Sequence, residues 1–152
     1  MIHVSNDERE ASVMLVVAAN HKSLRAPVRA LLDSDDRPDG LFVNINDRPG
    51  PFMVGRDTLR INGRGHVRED MLGTPFLISP TAFFQTNVRA ARALLQLVLD
   101  EVGGDSPLLD LYSGGGLFTV PLARRGAWVV AVEENRQAVQ DAAANLRLNK
   151  VP

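Results

Sequence analysis

The residues best suited to chemistry lie between positions 108 and 135, in LLDLYSGGGLFTVPLARRGAWVVAVEEN. An apolar strand pattern runs straight into Gly114, Gly115 and Gly116 and then into a helical pattern. Such a turn lets the backbone approach a ligand closely at a helix start, where free N–H groups favour polar or anionic groups. The second strand pattern, AWVVAV, ends at Glu133, 17 residues after Gly116. That spacing predicts a carboxylate beside the glycine turn, at the height needed to accept hydrogen bonds from both hydroxyls of a ribose. A glycine turn alone is only a tight connection. Together with an acid at the next strand end it points to a nucleoside-type cofactor, with Gly114, Gly116 and Glu133 as binding residues.

The choice of cofactor rests on Asp110, near the end of the first strand pattern. Dinucleotide sites on this topology use GxGxxG, whereas the run here is GGGLFT, and a carboxylate beside a pyrophosphate repels it. S-adenosyl-L-methionine has no phosphate and carries a sulfonium and an ammonium, so Asp110 is compatible with it or favourable. A dinucleotide-binding oxidoreductase is therefore the least favoured reading.

The rest of the composition narrows the field. With 17 Lys+Arg against 18 Asp+Glu, the net charge of −1 excludes a wholesale electrostatic nucleic-acid binder of the histone kind. At 45% hydrophobic and 23% charged residues the chain reads as globular. It has no cysteine, so it offers no disulfide, thiolate metal site or cysteine nucleophile of its own. His3, His21 and His66 are scattered without ligand spacing, and no metal site is expected. No apolar run approaches a membrane span, and the opening MIHVSNDERE is too polar for a signal peptide, so the expected location is cytoplasmic. Arg56, Arg60, Arg64, His66 and Arg68 would share one face if they lay on a hairpin, although Asp57, Glu69 and Asp70 nearby favour an ordinary solvated hairpin.

The elements that must position these residues follow from periodicity. ASVMLVVAA at 11–19 reads as a buried strand, followed by helical spacing of Leu24, Val28, Leu31 and Leu32. LFVNIND alternates as a half-buried strand, and short stretches around FMVG, TLRING and HVRED suggest an antiparallel meander closed by a strand in LGTPFLISP. This predicts a small mixed α+β domain over 1–80. Over 81–152, Asn87 is a candidate N-cap for a helix carrying Val88, Ala91, Leu94, Leu95, Val98 and Val102, with a core stripe of Leu94, Leu95 and Val98 and a stop at Gly103 and Gly104. A strand at PLLDLY, the glycine turn, a helix to about Arg125, the strand AWVVAV and a helix from Asn135 to Leu148 complete the pattern. One of Phe83 and Phe84 is expected to fill the core.

With ISPTAFFQTN at 78–87, LLDLYSGGGLFTVPLA at 108–123 and VVAVEENRQAVQDAAANLRLN at 129–149, the chain resembles the bacterial RNA (uracil-5-)-methyltransferases, which form 5-methyluridine in rRNA or tRNA. The stretch SP-x-x-FFQ-x-N is specific to that group, and the resemblance is strong over 78–149 and only in outline before it. It implies an α/β architecture: a small mixed α+β domain followed by the first half of a Rossmann-like class I methyltransferase fold, two parallel strands with helices. It also implies S-adenosyl-L-methionine as cofactor, an RNA partner, and cofactor contacts by Gln85, Tyr112 and Glu133. Leu117 departs from the polar residue common in the family's turn, and Ser113 replaces a frequent cysteine.

Family members use a cysteine thiolate that adds to C6 of uracil and a carboxylate that removes the C5 proton. No counterpart is present here, so the resemblance implies a portion of an enzyme with no catalytic residue of its own, inactive alone. The upstream iron–sulfur cysteines and RNA-binding barrel of many members are also not seen. The strand PLLDLY, lacking a neighbour on one flank, predicts a homo-oligomer. A non-catalytic RNA- or protein-binding module is the alternative reading.

Overall fold

The computed structural model describes residues 1–48, 50, 53–102 and 107–151, and the chain forms two compact units, 1–67 and 68–152. In the first unit, strands β1 (Ile2–Val4), β2 (Ala11–Val17), β3 (Gly40–Ile45) and β4 (Asp57–Gly63) form one sheet in that order. β1 pairs antiparallel with β2, β2 parallel with β3, and β3 antiparallel with β4. The parallel pair requires a crossover, supplied by a short 3₁₀ turn (Lys22–Leu24) and helix α1 (Arg25–Leu32).

β3 is central, and Leu41, Phe42, Val43 and Asn44 are all buried. The alternation in LFVNIND thus does not mark a half-exposed strand, because Asn44 is fully buried with its amide satisfied. Its Nδ2 donates to the Gly55 carbonyl (3.0 Å) and Thr58 Oγ1 (2.8 Å), and its Oδ1 accepts from the Gly55 N–H (2.6 Å). β1 carries no apolar pattern of its own and was not anticipated. It forms because its backbone completes the edge of β2.

The expected meander is only partly realised. β3 and β4 are antiparallel neighbours, but Met53 and Val54 lie in a bend, and β5 (Val67–Met71) pairs with β6 (Thr74–Ile78), not with β4. The turn between them, Leu72–Gly73, has positive φ at both residues (56° and 76°), the two-residue geometry that suits the twist of a hairpin. The Arg56–Arg68 series therefore does not lie on one hairpin: Arg60 is on β4, Arg68 on β5, and Arg64 is ion-paired with Glu10.

The second unit holds that hairpin, helix α2 (Val88–Glu101), strand β7 (Leu108–Leu111), helix α3 (Thr119–Arg124), strand β8 (Val129–Val132) and helix α4 (Arg136–Leu148). Asn87 caps α2 as expected, its Oδ1 accepting from the Ala90 N–H at 3.0 Å. The stop proposed at Gly103 and Gly104 falls outside the described residues. The buried stripe of α2 is Ala91, Leu95 and Leu99, with Val98 half-buried, while Leu94 is 47% exposed. The inward face is thus rotated from the one read in sequence, since Leu94 and Leu97 also satisfy a helical spacing on the outer side. Met71, Phe76, Ile78, Val120 and Leu122 join that stripe in one core.

β7 and β8 pair in parallel, Leu108 opposite Val129 through Leu111 opposite Val132. Leu108 and Val129 pack on the core, whereas Leu109, Leu111, Val130 and Val132 are about half exposed or more. The α/β order anticipated from sequence is the order found.

Candidate cofactor cleft

The glycine turn follows β7 directly. Ser113 extends the β7–β8 ladder through its N–H to the Val132 carbonyl (3.1 Å), and the chain reverses around it with Tyr112, Gly114 and Gly116 at φ of 59°, 57° and 90°. Positive φ costs a non-glycine residue about 1–2 kcal/mol, so Tyr112 sits in strain that its 85% exposed ring does not repay by packing. Gly116 is needed twice over: a Cβ there would also meet Val120 Cγ2 at 2.9 Å. Residues 114–118 are turns, and α3 starts only at Thr119, so the glycines do not open straight onto a helix start as the sequence suggested.

Glu133 lies just beyond β8 and reaches the turn. Its Oε2 accepts from the Gly114 N–H (2.9 Å) and its Oε1 from the Asn135 N–H (2.8 Å). These bonds, the one from Asn135 foremost, hold its carboxyl below the usual range near 4.5, so it is ionised at neutral pH. A carboxylate offers about four lone-pair sites, so Glu133 can still accept from hydroxyl donors beyond these backbone groups.

Asp110 is half-buried and is not among the residues lining the cleft. Its Oδ2 accepts from the buried Thr119 Oγ1 at 2.5 Å, tying β7 to the first turn of α3. Gln85, Tyr112 and Gly114 line a cleft of about 80 Å³ with Phe83, Phe84 and Leu117. Gly116 and Glu133 are not among its lining residues but hold the turn that forms its wall: the first by its positive φ, the second through the Gly114 N–H. Phe84 packs against Phe76 with centroids 6.2 Å apart at 51°, while Phe83 is 75% exposed, so one of the pair is core and the other is open.

The residues that hold the two walls of the cleft together were not singled out in sequence. Gln137, Asp141 and Asn145 on α4 and Asn149 at its C-cap recur every fourth position and address the segment 75–79 in reverse order. Asn149 Nδ2 donates to the Pro75 carbonyl (2.8 Å), and Asn145 accepts from the Leu77 N–H (2.7 Å) and donates to the Leu77 carbonyl (3.3 Å). Asp141 accepts from the Ser79 N–H (3.0 Å) and Oγ (2.7 Å), with Gln137 Nε2 on its Oδ1 (3.0 Å). Four helical residues rise about 6.0 Å and two strand residues about 6.6 Å, so the two repeats stay in step over three contacts. Asn145 Nδ2 also donates to the Gly115 carbonyl (3.0 Å), joining the glycine turn to the strand that leads into Phe83–Gln85. The legible signal was a polar stripe at i, i+4 on a helix already known to be amphipathic.

A strand, a glycine turn, an α-helix, a parallel strand ending in a carboxylate and a second helix define the first half of a class I methyltransferase fold. The tRNA (Uracil-5-)-methyltransferase family model matches residues 56–152, and the chain belongs to that family. An uncharacterized RNA methyltransferase of Synechocystis is 32% identical over 95% of this chain and 32% of the relative. The tRNA (uracil(54)-C(5))-methyltransferase of Pyrococcus abyssi is 34% identical over 74% of this chain and 27% of the relative. The crystal structure of Pyrococcus abyssi tRNA (uracil-54, C5)-methyltransferase in complex with S-adenosyl-L-homocysteine superposes with a TM-score of 0.85 at 30% identity, over 99% of this chain and 36% of that one. The chain thus spans about a third of the length of these relatives. Among the described residues no helix is long and apolar enough to cross a membrane.

Proposed function

We propose that this chain supplies the nucleoside-binding half of an S-adenosyl-L-methionine site in an enzyme that methylates C5 of uridine in rRNA or tRNA in the cytoplasm. The observation that carries the reading is the ionised Glu133 fixed on the glycine turn by the Gly114 N–H, in a member of the uracil-5-methyltransferase family. Its remaining lone pairs suit the two ribose hydroxyls of the cofactor, and Gly114, which bears no side chain, lets the ligand come close to the backbone. Gln85 and Tyr112 face the same cleft and would border the ligand. At about 80 Å³ the cleft is far below the roughly 300–1,000 Å³ of a full small-molecule site, which fits one portion of the cofactor. Bound there, the cofactor would supply an electrophilic methyl group. Asp110, held by Thr119, acts in this reading through the position of α3, not by touching the ligand.

With no cysteine in the sequence, the chain alone lacks the thiolate that makes C5 of uracil nucleophilic, and it transfers no methyl group by itself. Isothermal titration tests the cofactor reading: S-adenosyl-L-homocysteine binds and NAD does not. Equal binding of the two, or binding of NAD alone, would overturn it.

A further inference from the structure

A second cavity, of about 380 Å³, opens in the first unit between α1 and the β3–β4 face. Its floor is apolar, formed by Leu24, Val28, Val43 and Ile61, and its rim carries Asn20, His21, Lys22 and Arg25. Among the described residues, none that is acidic lines it. Lys22 and Arg25 form no ion pair or side-chain hydrogen bond among the described residues, in contrast to Arg29 one turn on, which pairs with Asp33. His21 Nδ1 accepts from the Ser23 N–H (3.2 Å), which places the proton of the neutral ring on Nε2 as a further donor. Two uncompensated cations, a ring N–H and an apolar floor describe a ligand that is anionic at one end and apolar at the other. The volume falls in the range of small-molecule sites.

We propose that this groove binds one nucleotide of single-stranded RNA, its base on Val28 and Ile61 and its phosphate against Lys22 and Arg25. The choice of RNA as the polyanion rests on the functional reading above. The location rests only on the charge and shape of the groove. In a chain of net charge −1, a local pair of unpaired cations over apolar side chains marks a specific site, not a diffuse electrostatic surface.

The test is fluorescence anisotropy of the full chain with a labelled, short uridine-rich single-stranded RNA across a salt series. The double variant Lys22→Glu, Arg25→Glu should bind about tenfold more weakly or worse, and its slope of log affinity against log salt should fall by about 0.7, the value for one single-strand phosphate contact. Ile61→Ser should weaken binding with the slope unchanged. Arg89→Glu with Arg147→Glu, the same charge change elsewhere, should leave affinity within about twofold of the parent. The proposal is overturned if the parent does not bind, if the Lys22/Arg25 variant binds like the parent, or if the Arg89/Arg147 variant loses as much. Titration of each variant with S-adenosyl-L-homocysteine separates this outcome from failure of the cofactor reading, because the groove variants leave the cleft residues intact.

Discussion

Asn145 and Leu77 are paired as two strand residues would be: the Asn145 side chain accepts from the Leu77 N–H at 2.7 Å and donates to its carbonyl at 3.3 Å. A helix has here taken the place of a strand at the edge of β6, and the same amide holds the Gly115 carbonyl. Asn145 is 1% exposed, so replacing it with Ala leaves buried backbone groups without partners. Asn145→Ala should lower stability by about 1–3 kcal/mol in urea denaturation. No change would show that water replaces the amide at no cost and that the pairing does not hold the cleft walls.

Gly116 and Gly115 should respond differently to the same substitution. Gly116→Ala forces a Cβ into positive φ and against Val120, and should lower stability by about 1–2 kcal/mol. A Cβ at Gly115 meets nothing closer than 3.8 Å, so Gly115→Ala should keep the parent's melting temperature. Equal losses would contradict the turn geometry.

Glu133 also sets a pH dependence. Its carboxyl is depressed in the fold, so its contribution to stability is present above about 4.5 and fades as pH falls through the lower folded value. Burial lowers His3 below 6.5, and its contribution is likewise present above 6.5 and lost toward acid. Comparing acid denaturation of the parent with Glu133→Gln should show the two curves diverging most above about 4.5 and converging as pH falls below it. A constant offset at all pH values would mean that the charge is not what Gly114 and Asn135 recognise.

Leu109, Leu111, Val130 and Val132 on the β7–β8 pair are 48–63% exposed, an apolar parallel surface of a kind usually covered. We expect two copies of the chain to cover it mutually. Light scattering at several concentrations should give a mass above the 16.6 kDa of one chain, rising with concentration. A monomer with well-protected amides over 108–133 would refute the expectation.

How far the sequence alone reached depended on whether a residue's role was local. The order β7, glycine turn, α3, β8, acid, α4 was legible because each element carries its own periodicity and Asn87 and Asn135 their own capping chemistry. The strand β1, the diversion of β5 to β6 and the orientation of α2 were not, because they are decided by partners distant in sequence. The placement of Glu133 beside the glycine turn was legible from spacing, but the tie of Asp110 to Thr119 was not, since strand-end position does not reveal where a carboxylate turns. The Gln137–Asn149 stripe could have been read as a helix packed on a polar edge. It was passed over because buried polar side chains look like solvent-facing ones until their partners are known.

The most direct measurement of the central claim is backbone amide NMR of the chain with S-adenosyl-L-homocysteine added to millimolar concentration, which registers weak as well as tight binding. Shifts concentrated at 83–85, 112–118 and 133–135, weakened about tenfold or more in affinity by Glu133→Ala, are the predicted result. No shift, or shifts outside those segments that Glu133→Ala leaves unchanged, would contradict the assignment of the glycine turn and Glu133 as the cofactor site.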